Sequence, residues 1–275
     1  MPGTRFSDIR RLESVDSTNR YLLDEARAGA DDGVVAVADH QSAGRGRLGR
    51  RWEAPAGSNL LMSVLLRPDL PPDHRYLAAA VVALAATDAV DVALGLELGI
   101  KWPNDLLALD GRKVAGVLAE ADVATAAGGS DGRGSAIVVG IGINVNWPGA
   151  DADLPPDLVG LATSLRQQLG RRVDRTEVLE ALLEALGPRV GDLSTAAGRI
   201  RQVDGLRARC TTIGTRVRVE LADGRFEGTA CAVTPEGHLV VETGGARRTV
   251  VAGDVVHVRP PGQGDRPIGA GADPE

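Results

Sequence analysis

Residues 34–38 are apolar without a break, and the same texture returns at 60–66, between Gly57-Ser58-Asn59 and Arg67-Pro68. Runs this short, closed by turn residues, predict strands, the second of them buried. Between them, residues 20–28 carry Leu22 and Ala26 at helical spacing and stop at Gly29, with Ser17 or Asp16 placed to cap the helix. Residues 74–94, rich in Ala and Val, predict a long helix. Residues 106–109 and 114–119 flank Asp110-Gly111, which predicts a hairpin. A further strand is expected at 136–146, after a Gly/Ser/Ala-rich connection over 124–135 that reads as a mobile hairpin loop. Two helices, 157–169 and 175–186, should cover the sheet. The second has Asp174 and Glu177 as a capping pair and Leu179, Leu182, Leu183 and Leu186 on its apolar face.

Read face by face, the strand at 136–146 puts Ile137, Val139, Ile141, Ile143 and Val145 on one side and Val138, Gly140, Gly142, Asn144 and Asn146 on the other. One face is core. The other is hollowed out and ends in amides, and glycines inside a strand signal close approach of a ligand or of another backbone. From Arg209 onward the pattern changes to short β-rich runs at 216–221, 226–233, 238–242, 248–251 and 255–258. These predict a small five-stranded barrel, a second domain of about fifty residues. The Gly- and Pro-rich residues 260–275 are expected to be a disordered tail.

A chain of 275 residues with 43% apolar content can bury a core, and its formal net charge of -6 argues against general binding to nucleic acid. Cys210 and Cys231 are too few for a disulfide framework, and His40, His74, His238 and His257 have no metal-ligand spacing. Residues 1–11 lack the apolar core of a signal peptide, and residues 76–86 are too short and Ala-rich to span a bilayer, so the cytoplasm is the expected location. Against the acidic balance, residues 42–52 hold three glycines and four arginines. Glycines let backbone N–H groups turn inward and guanidinium groups add charge and forked donors, so this loop is suited to close over phosphate or carboxylate.

Taken in order, Ser17-Thr18-Asn19, Gln41 with the loop from Gly44 to Trp52, Lys101-Trp102-Pro103-Asn104-Asp105, residues 111–116 (GRKVAG) and residues 140–146 (GIGINVN) closely resemble the biotin protein ligases. The likeness is dense over 14–147, continues through 162–165 and includes the β-rich end with its Thr212-Ile213-Gly214 entry. It implies an α+β fold: a class II synthetase-like, biotin/lipoate ligase-type catalytic domain, its mixed sheet covered by helices, followed by an SH3-like β-barrel. The implied organisation is an N-terminal extension over 1–13, a catalytic domain over 14–205, an SH3-like domain over 206–259 and the tail.

The implied reaction joins biotin and ATP, with Mg2+ arriving alongside ATP, into biotinyl-5'-AMP. Biotin then passes to a lysine of a biotin carboxyl carrier domain of an acyl-CoA carboxylase. Biotin's carboxylate and the α-phosphate repel, so cations must gather around them. The resemblance assigns that task to Arg45, Arg47 and Lys113. It places Ser17, Thr18, Asn19 and Gln41 around the biotin pocket, with Gly44 and Gly46 in the loop beside it. Gly116 falls where backbone approaches the ligand, and Lys101, Asn104 and Asn144 on the ATP side. Trp52 and Trp102 are expected to be packing residues. With about thirteen residues ahead of Ser14, no DNA-binding role is expected. No membrane partner is expected either, and monomer and homodimer both occur in the family. A lipoate ligase is the enzymatic rival, although the triple glycine usual there is missing. A nonenzymatic binding module is the rival from another class.

Overall fold

The computed structural model describes residues 5–121, 135–221, 223–251 and 253–258. The tail at 260–275, and the connection at 124–135 apart from Ser135, lie outside the described residues. The first sheet is built from β1 (Ile9–Val15), β2 (Val35–Gln41), β3 (Leu60–Leu66), β4 (Gly99–Lys101), β5 (Asp105–Leu107), β6 (Lys113–Ala121) and β7 (Ile137–Ile143). Its order is β1-β2-β3-β7-β6-β5-β4. β1 and β2 are parallel and the other neighbours antiparallel, so the sheet is mixed.

Every residue of β3 is buried, because this strand sits inside the sheet with both faces covered. On one face lies α1 (Thr18–Arg27), where Leu22 and Ala26 pack with Ala36, Leu65 and Val138. On the other lies α2 (Leu77–Leu94), buried along most of its length against the sheet and α4 (Arg175–Asp192). α2 is apolar and long enough by composition to cross a membrane, yet it is mostly buried within the protein. Its alanines let neighbouring elements approach closely, and Gly95, at φ 66°, ends it in the left-handed conformation that glycine tolerates. The alternation along β7 holds as expected: Ile137, Val139, Ile141 and Ile143, with Val145 beyond, enter the α2 core, while Val138 faces α1.

Five departures from the expected elements have physical causes. β1 is an edge strand whose polar positions mask its pattern, and it takes in the last residues of the expected extension. β4 has three residues and is paired by β5. The helix expected at 157–169 shrinks to α3 (Leu165–Leu169), because Gly160 adopts φ 76° and Ala162 pairs instead with Lys113. Ser164 then caps the short helix, accepting from Gln167 N.

α4 continues past the expected stop at Leu186 and through Pro188. Its last turn is tied by Arg189, whose Nε donates to Asp88 at 2.9 Å and whose Nη1 donates to Gln202 at 2.7 Å. Gln202 belongs to α5 (Ala196–Arg209), a helix with few apolar positions that the hydrophobic pattern did not reveal.

The second sheet consists of β8 (Arg216–Leu221), β9 (Gly224–Val233), β10 (Leu239–Thr243), β11 (Ala246–Val250) and β12 (Asp254–His257). It is antiparallel, in the order β11-β10-β9-β8-β12, with Val217, Val219, Ala230, Leu239 and Val241 inside. It docks on the turn between β4 and β5. Trp102, 1% exposed, donates its indole N–H to Gly237 O at 3.0 Å and its backbone N–H to Thr212 Oγ1 at 3.0 Å. Thr212 Oγ1 lies 3.1 Å from His257 Nε2.

Burial, assisted by the Lys101 cation, pulls His257 down to about 4. The unfolded chain, with His near 6.5, therefore binds this proton first, and the histidine's contribution to stability, complete above pH 6.5, is lost as pH falls towards 4. Thermal midpoints measured from pH 7 to 4 should fall more steeply for the wild type than for His257→Gln.

Candidate active site

The site begins where β2 ends and α1 starts. Ser17 occupies the N-cap position with extended backbone, but its hydroxyl makes no capping bond and is left for another partner. Gln41, the last residue of β2, turns Oε1 towards α1 and accepts from Thr18 N at 2.7 Å and Thr18 Oγ1 at 3.0 Å. Asn19 donates from Nδ2 to Leu118 O at 3.1 Å and to Glu120 Oε2 at 2.8 Å. Ser63 of β3 lies between them, its Oγ 2.7 Å from Thr18 Oγ1 and 2.6 Å from Asn19 Oδ1. The result is a floor of hydroxyls and amides with fixed orientations. Gly140 makes it possible, since a Cβ there would stand 2.3 Å from Asn19 Oδ1.

Above the floor the arginine loop folds back on itself. Arg45 bridges Arg51, Gly46 N donates to Arg50 O at 2.7 Å, and Trp52 N donates to Gly44 O at 3.0 Å. Gly44 allows the closure, as its Cβ would meet Trp52 O at 2.3 Å. At the tip, Leu48 is 68% exposed and holds φ 57°, a left-handed conformation that costs a branched residue energy. The loop's far end lays the Trp52 indole on β7: a Cβ at Gly142 would come within 2.5 Å of that ring, and one at Gly116 within 3.2 Å. The glycine face is thus occupied by the side chains of Asn19 and Trp52.

Lys113 lies beside this indole, and the arginines of the loop are held by partners of their own. Lys113 Nζ lies 5.3 Å from the Trp52 ring centroid and 2.7 Å from Asp105 Oδ1. Arg47 donates to Asn104 Oδ1 at 3.1 Å and to Gly253 O at 2.9 Å, Arg50 pairs with Asp254, and Arg45 Nη1 is 3.5 Å from Glu120 Oε1. Lys101 is held below the usual lysine range by burial, with Lys113 and Arg50 adding repulsion against the opposing pull of Asp105 and Asp254. Such a set can receive an anion by exchange: the incoming oxygens replace the protein's own.

Of the residues the sequence singled out, Ser17, Thr18, Asn19, Gln41 and Gly44 meet at the floor. Arg45, Gly46, Arg47, Lys101, Asn104, Lys113 and Gly116 surround or adjoin the cation set. Asn144 is more deeply placed: it is 6% exposed, its Oδ1 accepts from Asn59 at 3.2 Å, and its Nδ2 donates to Thr163 O at 3.0 Å. Asn59 also accepts from the backbone N–H groups of Val145, Asn146 and Trp147, so these amides pin the chain leaving β7.

Trp52, Ser63 and Asp105 were missed as site components. For Trp52 the signal was available, because the hollow face at Gly140 and Gly142 called for something to lie on it. Its indole Nε1 is buried and has no partner among the described residues.

Known proteins resemble this chain in sequence and in fold. Residues 12–144 match the model of the biotin/lipoate A/B protein ligase family, and residues 212–258 that of the biotin protein ligase C terminal domain. The biotin--[acetyl-CoA-carboxylase] ligase of Mycobacterium tuberculosis is 37% identical over 263 residues, 94% of this chain and 91% of that one. The bifunctional ligase/repressor BirA of Bacillus subtilis is 33% identical over 242 residues, 88% of this chain and 71% of its own. A solved biotin protein ligase from Aquifex aeolicus in complex with biotin and ATP superposes with a TM-score of 0.77 at 26% identity, covering 93% of this chain and all of its own.

Replacing Gly142 by Ala puts a methyl group where the Trp52 ring lies, and the indole must move. The expected outcome is a red-shifted tryptophan emission and faster tryptic cleavage within residues 45–51, with the thermal midpoint lowered only modestly because the loop lies outside the core. An unchanged emission spectrum would show that the ring does not rest there.

Proposed function

Because the chain belongs to the biotin/lipoate A/B protein ligase family, and is a ligase of the biotin protein ligase type, we propose that it activates biotin with ATP and transfers it to a carrier-domain lysine. In the first half, an oxygen of the biotin carboxylate attacks the α-phosphorus and pyrophosphate leaves. In the second, the acceptor amine attacks the acyl carbonyl of biotinyl-5'-AMP, AMP leaves and the amine loses its proton. The observation that carries this reading is the convergence of Arg45, Arg47, Lys101 and Lys113 beside a floor of fixed amides and hydroxyls.

The residues fit the two ends of such an adenylate. Ser17, Thr18, Asn19 and Gln41 offer the donors and acceptors a ureido ring requires, and Gly116 lets backbone come close. Arg45, Arg47 and Lys113 neutralise the approaching carboxylate and phosphate, a preorganised stabilisation that costs no rearrangement of solvent during the reaction. Lys101, Asn104 and Asn144 belong to the nucleotide side, with Asn144 acting through the amide proton that Thr163 leaves free.

Mg2+ supplies charge neutralisation to the polyphosphate when ATP binds, with phosphate oxygens as its main ligands. Asp105, at the margin of the cation set, is the carboxylate able to join that shell. Loop 45–51 excludes water from the hydrolysable mixed anhydride. In this reading the catalytic unit spans 14–205 with the start of β1, the SH3-like unit 206–259, and the partner is the biotin carboxyl carrier domain of an acyl-CoA carboxylase in the cytoplasm.

The test is pyrophosphate release with ATP and Mg2+ plus biotin, beside lipoate and a no-acid control, followed by addition of an apo carrier domain. Biotin-dependent release and a mass gain on the acceptor lysine are expected. Release with lipoate alone would reassign the substrate. Lys113→Ala should slow pyrophosphate release by about 10²-fold or more, the scale of one preorganised charge. An unchanged rate would reduce Lys113 to a turn lysine.

A further inference from the structure

Glu120 stands near the end of β6 between the amide floor and the arginine loop, its side chain 26% exposed. Oε2 accepts from Asn19 Nδ2 at 2.8 Å, and Oε1 faces Arg45 Nη1 at 3.5 Å. Asn19 is only 4% exposed, and its other amide proton goes to Leu118 O at 3.1 Å. With both protons of Nδ2 given to fixed acceptors, the amide cannot flip without turning its carbonyl oxygen onto a carboxylate and a peptide oxygen. Oδ1 is therefore committed to the side of Ser63 and Gly140. Gln41 is fixed in the opposite sense, because Oε1 takes both donors of Thr18 and Nε2 lies on the side of Gly44. The floor so presents an acceptor at Asn19 and a donor at Gln41.

The geometry points to Glu120 as a positioning residue that sets this polarity by orienting Asn19. The carboxylate itself stays outside the floor and acts through the amide. A charged acceptor makes a stronger bond to that amide than a backbone carbonyl does, and Arg45, facing the other oxygen, helps hold the carboxylate in place. The role of the floor in holding the acid substrate rests on the ligase reading above. The orientation of Asn19 does not.

Two measurements separate them. In the ligand-free protein the side-chain amide protons of Asn19 should exchange with solvent about tenfold faster in Glu120→Ala than in the wild type, with Glu120→Gln in between. Equal exchange in all three would overturn the positioning role whatever the reaction proves to be. In biotin-dependent pyrophosphate exchange, Glu120→Ala should raise the KM for biotin about tenfold while changing that for ATP less than about twofold.

Glu120→Gln, whose amide oxygen can still accept from Asn19, should recover most of that loss. Adding Glu120→Ala to Asn19→Ala should cost little beyond Asn19→Ala alone, because residues that act as one unit are not additive. Additive effects, or a KM that rises equally for Ala and Gln, would overturn the inference. Thermal unfolding of each variant checks that the fold is intact. Absence of biotin-dependent exchange in the wild type would instead refute the ligase reading and leave the proton-exchange result to decide the role of Glu120.

Discussion

Charges of one sign crowded onto one side of a sheet repel, and the arrangement of this protein follows from how that repulsion is offset before any ligand arrives. Arg45 is met by Glu120 from β6, Lys113 by Asp105 from β5, Arg47 by Asn104 and the carbonyl of Gly253, and Arg50 by Asp254 from β12. The partners come from three separate stretches of chain, at 104–105, 120 and 253–254, so the cation set is stable only when both sheets are formed. Most of these pairs are partly exposed, where an ion pair contributes no more than about 1 kcal/mol. Weak pairs suit the purpose: they keep the charges apart at small cost and give way to a polyanion that offers several oxygens at once. The lowered affinity of Lys101 for its proton reflects its burial first, with repulsion from Lys113 and Arg50 a smaller addition.

The glycines of β7 decide where this charge can lie. A strand of alternating Ile or Val and Gly presents a packed face to α2 and a bare backbone to the other side. Asn19 lies over Gly140, and the Trp52 ring covers Gly142 and Gly116. The floor and the loop are thus seated on one pair of strands, β6 and β7, that is held from behind by the main core. The loop is short of regular structure, but its anchor is a ring pressed on backbone with no Cβ between them. That contact gives a mobile sequence a fixed address.

Much of this was legible in the chain. The alternation of Ile and Val with Gly over β7, the hairpin at Asp110-Gly111 and the unbroken run of β3 each follow from one local rule, and local rules survive folding when tertiary contacts agree with them. The failures have the opposite character. α4 runs through Pro188 because Arg189, the next residue, finds Asp88 and Gln202 on neighbouring helices, and the helix expected at 157–169 yields to a bridge between Ala162 and Lys113. Neither partner is near in sequence. The site divides the same way: motif residues were recognisable by type and order, whereas Trp52, Ser63 and Glu120 acquire their places only from strands brought together across dozens of residues. Asn144 shows the converse, a motif residue whose buried amide also holds the exit of β7.

The docking of the second sheet follows from the same geometry. Trp102 and Asn104 belong to one turn, and that turn faces both ways. The indole of Trp102 is buried against Gly237 while Asn104 receives Arg47 from the loop. Gly253 and Asp254, at the start of β12, reach back to Arg47 and Arg50 of that same loop. The turn between β4 and β5 is therefore clamped between the loop and the second sheet, and the loop is held from both. A sheet attached only by a flexible connection could not supply fixed oxygen partners to the guanidinium groups, since ordering them on each encounter would cost side-chain entropy every time. Burying Trp102 at the junction meets that cost once, during folding, and leaves the loop's arginines aimed before a ligand enters.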